Sequence, residues 1–243
     1  GRFTAMATGY YRVSTNLRFD GNSGSYARVL IAKGGNTDLN NGLHTIKGNR
    51  LSTDYDSMTA SGAVHLSVGE YVSVWVYSQS DSSWRVQRES GIAVNFLGAS
   101  IVGMQADLNG SRHHGVGWKE ITGWRTSGTS TLFDVSAGAW NNGNGRFTAK
   151  DAGFYRVHAN MRIDADSGDH TRLVIATSGN TDMNNGLHAI KGNGLSSNYG
   201  VLAAGGVVRL SVGQYLSVFI FSRDGSWHAQ SESGFSVSFL GTS

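Results

Sequence analysis

The chain contains no cysteine and no proline among its 243 residues. Without cysteine there are no disulfides, no thiol nucleophile and no thiolate metal site. Without proline, turns must rest on Gly and Asn, which tolerate positive φ, and 34 glycines are present to make them. Charge is also scarce. Charged residues are 15% of the chain, the formal net charge is +3, and no Lys/Arg run occurs despite a pI of about 9.2. The basic stripes that nucleic-acid binders use are missing, so no nucleic-acid partner is expected. No stretch approaches the ~18 apolar residues of a membrane helix, and membrane insertion is not expected. Apolar residues at 39% still provide a proper core. The opening Gly1-Arg2-Phe3-Thr4-Ala5-Met6 reads as a strand and not a leader. For a secreted protein the expectation is that the leader has been removed.

The feature that organises the sequence is a repeat. GRFTAMATGYYRV at Gly1–Val13 returns as GRFTAKDAGFYRV at Gly145–Val157. NTDLNNGLHTIKGN at Asn36–Asn49 returns as NTDMNNGLHAIKGN at Asn180–Asn193, and LSVGEYVSVWVYS at Leu66–Ser78 as LSVGQYLSVFIFS at Leu210–Ser222. The offset is 144 until one residue drops out before Trp227, after which it is 143. Such self-similarity marks duplicated structural units. Two domains are expected, residues 1–100 and 101–243. The first has no counterpart of Ile101–Asn144, so it is expected to be a fragment or processed unit, or to be completed by another segment.

Within each unit the apolar period is two. Phe235, Val237 and Phe239 alternate with Gly234, Ser236 and Ser238, while Tyr215–Phe221 is apolar on both faces around Ser217. Phe154–Ile163, Leu173–Ile175 and Gly206–Leu210 are further expected strands, and no window suits an amphipathic helix. Many short strands with Gly-rich connections imply an all-β sandwich or jelly roll.

GRFTAKDAGFYRV resembles the signature of the complement C1q head-domain family within the tumour-necrosis-factor-like superfamily. The matching positions are Gly145, Phe147, Gly153 and Tyr155, with Gly1, Phe3, Gly9 and Tyr11 in the first copy. TLFDVSAGAW, VVRLSVGQYLSV and the closing SGFSVSFLG are similar to further strands of that family, with Phe235, Phe239 and Leu240 in core positions. The resemblance implies two tandem jelly-roll (C1q/TNF-like) β-sandwich domains, a trimer-based homo-oligomer, secretion, and a non-enzymatic binding role. The sequence departs from the family at Gly69-Glu70 and Gly213-Gln214, where Gly-Asp is usual, so an acid-dependent calcium site at this turn does not carry over.

Two loops are candidate ligand sites. The first holds Asp38, Asn40, Asn41, His44 and Lys47, echoed by Asp182, Asn184, Asn185, His188 and Lys191. Amides and carboxylates recognise neighbouring sugar hydroxyls, and His or Lys can pair with an acidic sugar. The same Asn-Asn-Gly sequence also makes a left-handed turn with no ligand. The second holds Trp84 and Trp227 in polar surroundings, where indole either stacks on a sugar ring or packs into the sandwich edge or a subunit contact. The Asp164–Asp169 turn offers alternating carboxylates like part of a calcium loop but lacks the closing Glu, and a plain hairpin is expected there. No other cofactor is expected.

No HExxH, GxSxG or phosphate loop occurs, and the His113-His114 pair falls in a Gly-rich loop with no nearby carboxylate. Catalysis is not expected. A single sequon, Asn109–Ser111, is compatible with secretion. The expected function is that of a lectin or pattern-recognition factor binding glycans or glycoproteins. The alternatives are a structural or adhesive protein and a cytokine-like receptor ligand.

Overall fold

The computed structural model describes residues 1–21, 26–38, 43–48, 56–78, 84–128, 131–164, 170–184, 186–192, 200–223 and 225–242. All regular structure in them is β. The first copy contributes β1 (Arg2–Thr4), β2 (Gly9–Gly21), β3 (Tyr26–Lys33), β4 (His44–Gly48), β5 (Asp56–Leu66), β6 (Tyr71–Ser78), β7 (Trp84–Val86) and β8 (Gly91–Gly98). Next come β9 (Gly103–Leu108), β10 (Arg112–His114), β11 (Gly117–Glu120), β12 (Trp124–Arg125), β13 (Phe133–Asp134) and β14 (Trp140–Asn141). The second copy then follows as β15 (Arg146–Thr148), β16 (Gly153–Asp164), β17 (His170–Thr177), β18 (Leu187–Gly192), β19 (Gly200–Leu210), β20 (Tyr215–Ser222), β21 (Trp227–Ala229) and β22 (Gly234–Gly241).

Strand pairing repeats with the sequence. In the first copy β1-β6-β3-β4 form one sheet, and β5 and β8 flank β2 in the other, with β7 beyond β8 along the same edge. The second copy pairs β15-β20-β17-β18 and places β16 between β19 and β22 in the same way. Alternation along β2 explains its place: Tyr11, Val13, Leu17 and Phe19 are buried, facing Val29 and Ile31 of β3 in the opposite sheet. The second copy has its own core, in which Phe147, Tyr155, Val157, Leu173, Val218 and Phe235 meet.

β9 completes the second copy by pairing with the outer edge of β22, and it sends Met104, Ala106 and Leu108 into the core. Among the described residues β8 has no such neighbour. Ile92 is therefore 49% exposed, where its counterpart Phe235 is fully covered between Trp124 and Trp140.

Two expectations change. Leu240 is exposed and not in the core, because the register slips between Phe154 and Tyr155: Gly241 and Phe239 take the paired positions and Leu240 bulges out between them. His113 and His114 lie not in a loop but in β10, paired with β21. The Gly-Glu and Gly-Gln departures also acquire a reason. Gly69 and Gly213 adopt φ of 85° and 84°, and the Glu70 and Gln214 side chains reach back to the main-chain N–H groups of Ser67 and Ser211 at 2.7 and 2.8 Å. Each side chain closes its turn.

Candidate functional site

The two copies meet edge to face. The first presents its β3-β4-β5 edge. The second presents the outer face of the sheet holding β9 and β16. Asn160 follows Phe154, Arg156 and His158 on the outward side of β16, yet it is buried, and its Nδ2 donates to the His44 carbonyl oxygen at 2.7 Å. Gln105 Oε1 accepts from the Ala63 main-chain N–H at 3.4 Å. Glu232 bridges Arg162 of its own copy and Arg28 of the other, the latter at 3.8 Å. This explains why every residue of β9 is buried: its even positions face the core, and Gln105 and Asp107 lie under the first copy.

Burial of equivalent residues differs accordingly. Arg28, Leu43 and His44 are buried, whereas Arg172 and Leu187 are half-buried and His188 is exposed. Asn160 and Glu232 are buried, whereas Asn16 and Glu89 are exposed. The contact is heterologous: Asn16 and Glu89 of the first copy and His188 of the second remain exposed where their repeat equivalents are buried.

Asp107 is fully buried at this junction. It receives Arg125 as a fork, with Nε–Oδ1 at 2.7 Å and Nη2–Oδ2 at 3.2 Å. Burial nevertheless pushes its carboxyl up to about 6, against the pull of Arg125, and the nearby charge of Asp38 adds to the rise.

Beside the junction lies a cleft of about 440 Å³. Arg12 and Arg156 line it together, as do Thr59 and Ala203, and each of these pairs is one residue and its repeat equivalent. Equivalent residues of the two copies thus face one another across this cleft. The cleft also contains His158, whose imidazole burial lowers to about 4, with the Arg12 charge as a second cause. Gly205 admits that ring: a Cβ there would stand 2.9 Å from His158 Cδ2.

The loop residues expected to bind ligand do not form one site. His44 is not on a loop; it starts β4 and is buried under the second copy, because the Thr45–Gly48 stretch pairs with β3 as an edge strand. Lys47 and Lys191 fall in β4 and β18. Asn40, Asn41 and Asn185 lie outside the described residues. Asp38 sits by the junction near Arg125, while Asp182 and Asn184 are exposed. Asp182 Oδ1 accepts from Asn184 N–H at 2.9 Å and Nδ2 at 3.0 Å, and Asn180 Oδ1 accepts from Asp182 N–H at 2.9 Å, so these side chains shape the turn.

Trp227 cannot stack on a sugar. It is buried in β21, with His114 parallel to its ring at 4.3 Å. Trp84 is half-buried and meets Phe19 edge-on at 5.9 Å. The calcium-like turn falls outside the described residues beyond Asp164, which pairs with Arg162 at 2.7 Å. Among the described residues no group of three or more His, Cys, Asp or Glu could hold a metal ion, and no helix is long and apolar enough to cross a membrane. Sequence reading missed Arg12 and Arg156. Their signal was present as the Arg of GYYRV and GFYRV, a charge at the same outward position of both copies.

No protein-family model matches the chain. Erythroferrone from Homo sapiens is 32% identical over 108 residues, which are 40% of this chain and 30% of that protein, so the match spans under a third of the relative. Among solved structures, Eiger TNF from S. frugiperda aligns at TM-score 0.43 and 14% identity, over 59% of this chain and 94% of that one. The globular domain of zebrafish complement 1qA aligns at 0.40 and 16%, over 59% and 100%. Murine APRIL aligns at 0.43 and 14%, over 58% and 100%. The fold is all-β, with the strands of each copy arranged in two sheets.

Proposed function

We propose that the chain is a secreted, non-enzymatic recognition protein built of two C1q/TNF-like units, residues 1–100 and 101–243, that acts as a multivalent ring. The observation that carries this reading is the edge-to-face junction. The first copy's outer β2-β8 face around Asn16 and the second copy's β17-β18-β19 edge are the repeat equivalents of surfaces that meet within the chain, although the first copy has no described counterpart of β9. A third unit from another chain fills the gap between them.

Closure around an axis is favoured over an open filament because Arg12 and Arg156 face one cleft. Repeating the same rotation carries further units around that cleft and not away from it. Each chain keeps its own two units together in two of the three positions, and a unit of a second chain takes the third. Repetition of loops around a ring turns weak single contacts into avidity, which suits glycans or glycoproteins as ligands. The exposed Asp182 and Asn184 supply hydrogen-bonding groups on the outer loop.

Native mass spectrometry tests the assembly, with two or more chains per particle expected. A glycan array run on the same sample tests the ligand, with binding inhibited by free sugar. A monomeric mass at micromolar concentration overturns the ring, and an assembled protein with no array signal overturns the glycan ligand alone.

A further inference from the structure

The cleft between the copies concentrates positive charge, and no carboxylate lines it among the described residues. Arg12 comes from β2 of the first copy and Arg156 from the same position of β16 in the second. Among the described residues neither guanidinium has an ion pair or hydrogen bond, and the described lining contains no carboxylate. Folding thus brings two cations together and partly strips them of water. The guanidinium of Arg12 is lowered to about 10, by burial first and by the charge of Arg156 second. A protein usually separates such groups or gives them a counter-charge. The rest of the lining is small: Thr59 offers a hydroxyl, and Ala203, Gly205 and Gly206 leave room for a guest against the main chain.

We propose that this cleft is an oxyanion site that takes a sulfate or phosphate group between Arg12 and Arg156. Charge and shape select that chemistry. His158 is neutral at pH 7, so the site holds two positive charges, and a doubly charged group neutralises both. A guanidinium prefers two oxygens at once. A tetrahedral oxyanion presents separate oxygen edges to two such forks, whereas one fork uses both oxygens of a carboxylate. The volume of about 440 Å³ exceeds a bare ion and lies in the range of ligand pockets, so the group can be free or carried as an ester on a sugar. The site depends only on how the two copies of one chain sit together, and it stands whether or not a third unit closes the ring.

The test is a thermal-unfolding titration of the whole chain with sodium sulfate, sodium phosphate and glucosamine 6-sulfate, against sodium chloride at equal ionic strength. A saturable rise in the midpoint beyond chloride is expected for the wild type. R12Q and R156Q should weaken the apparent affinity at least tenfold while unfolding no earlier than wild type in chloride, because each relieves the repulsion. T59E should supply the counter-charge internally: it unfolds later than wild type in chloride and ignores sulfate. An ester that binds more tightly than the free ions identifies a modified glycan as ligand, and equal affinity identifies a free counter-ion; both support the site. Sulfate also stabilises proteins generally by exclusion from their surface. A rise of equal size and shape in wild type, R12Q and R156Q therefore overturns the proposal, as does no rise beyond chloride with any of the three anions.

Discussion

The side-chain amide of Asn160 donates to the main-chain carbonyl oxygen of His44 at 2.7 Å, and both residues are buried. Asn16, the equivalent of Asn160, faces solvent. One polar residue thus does two jobs in two copies, and the difference is set by what covers it. N160A leaves the His44 carbonyl without this donor inside the junction and should destabilise the chain by about 1–3 kcal/mol. N16A should change stability by under about 0.5 kcal/mol. Chemical denaturation of the two variants side by side checks both values.

Gly62 allows the same junction to close. A Cβ there would stand 1.8 Å from Leu43 Cδ2 and 2.8 Å from Gln105 Oε1. At its equivalent Gly206 the nearest atoms belong to the half-buried Leu187 side chain, the closest at 2.9 Å. G62A should therefore cost about 2–3 kcal/mol as overpacking, and G206A under about 1 kcal/mol. Limited proteolysis should cut G62A faster near the junction than G206A.

The copies' separate folds were legible because alternation survives duplication. Phe235, Val237 and Phe239 read as one face of a strand from the sequence; Phe235 and Val237 are buried in the core and Phe239 packs against it. What the sequence could not show is which copy covers which. Asn36–Asn49 and Asn180–Asn193 are nearly the same string, yet His44 is buried and His188 exposed. Local pattern carries no information about a contact between units, so a loop reading of His44 and a sugar-stacking reading of Trp227 were equally open until the neighbours were placed. Trp227 is covered by His114 of β10, and among the described residues no such strand stands beside Trp84.

The buried Asp107 is held as a fork by the half-buried Arg125, and removing Arg125 alone is worse than removing both charges. R125A strands a carboxylate beneath the first copy and should lose about 3–5 kcal/mol at pH 7. The double variant D107N/R125A should recover most of that loss, since a neutral amide tolerates burial better than a charge. A double-mutant cycle measured by urea unfolding reads the coupling directly.

Two buried groups set opposing pH dependences over one window. His158 is held down to about 4, while an unfolded imidazole titrates near 6.5. The unfolded chain then binds the extra proton, so this contribution is present above about pH 6.5 and is lost as pH falls toward 4. Asp107 is held up to about 6, while an unfolded Asp titrates near 3.9. Here the folded chain binds the extra proton, so stability is gained as pH falls from 6 toward 4. Each effect is at most about 3 kcal/mol before solvent screening, and in the wild type the two largely cancel. Single variants separate them. H158Q should become more stable between pH 6.5 and 4 and D107N less stable, in unfolding curves taken without sulfate or phosphate. Parallel profiles for the two variants would mean that neither group titrates as its surroundings require.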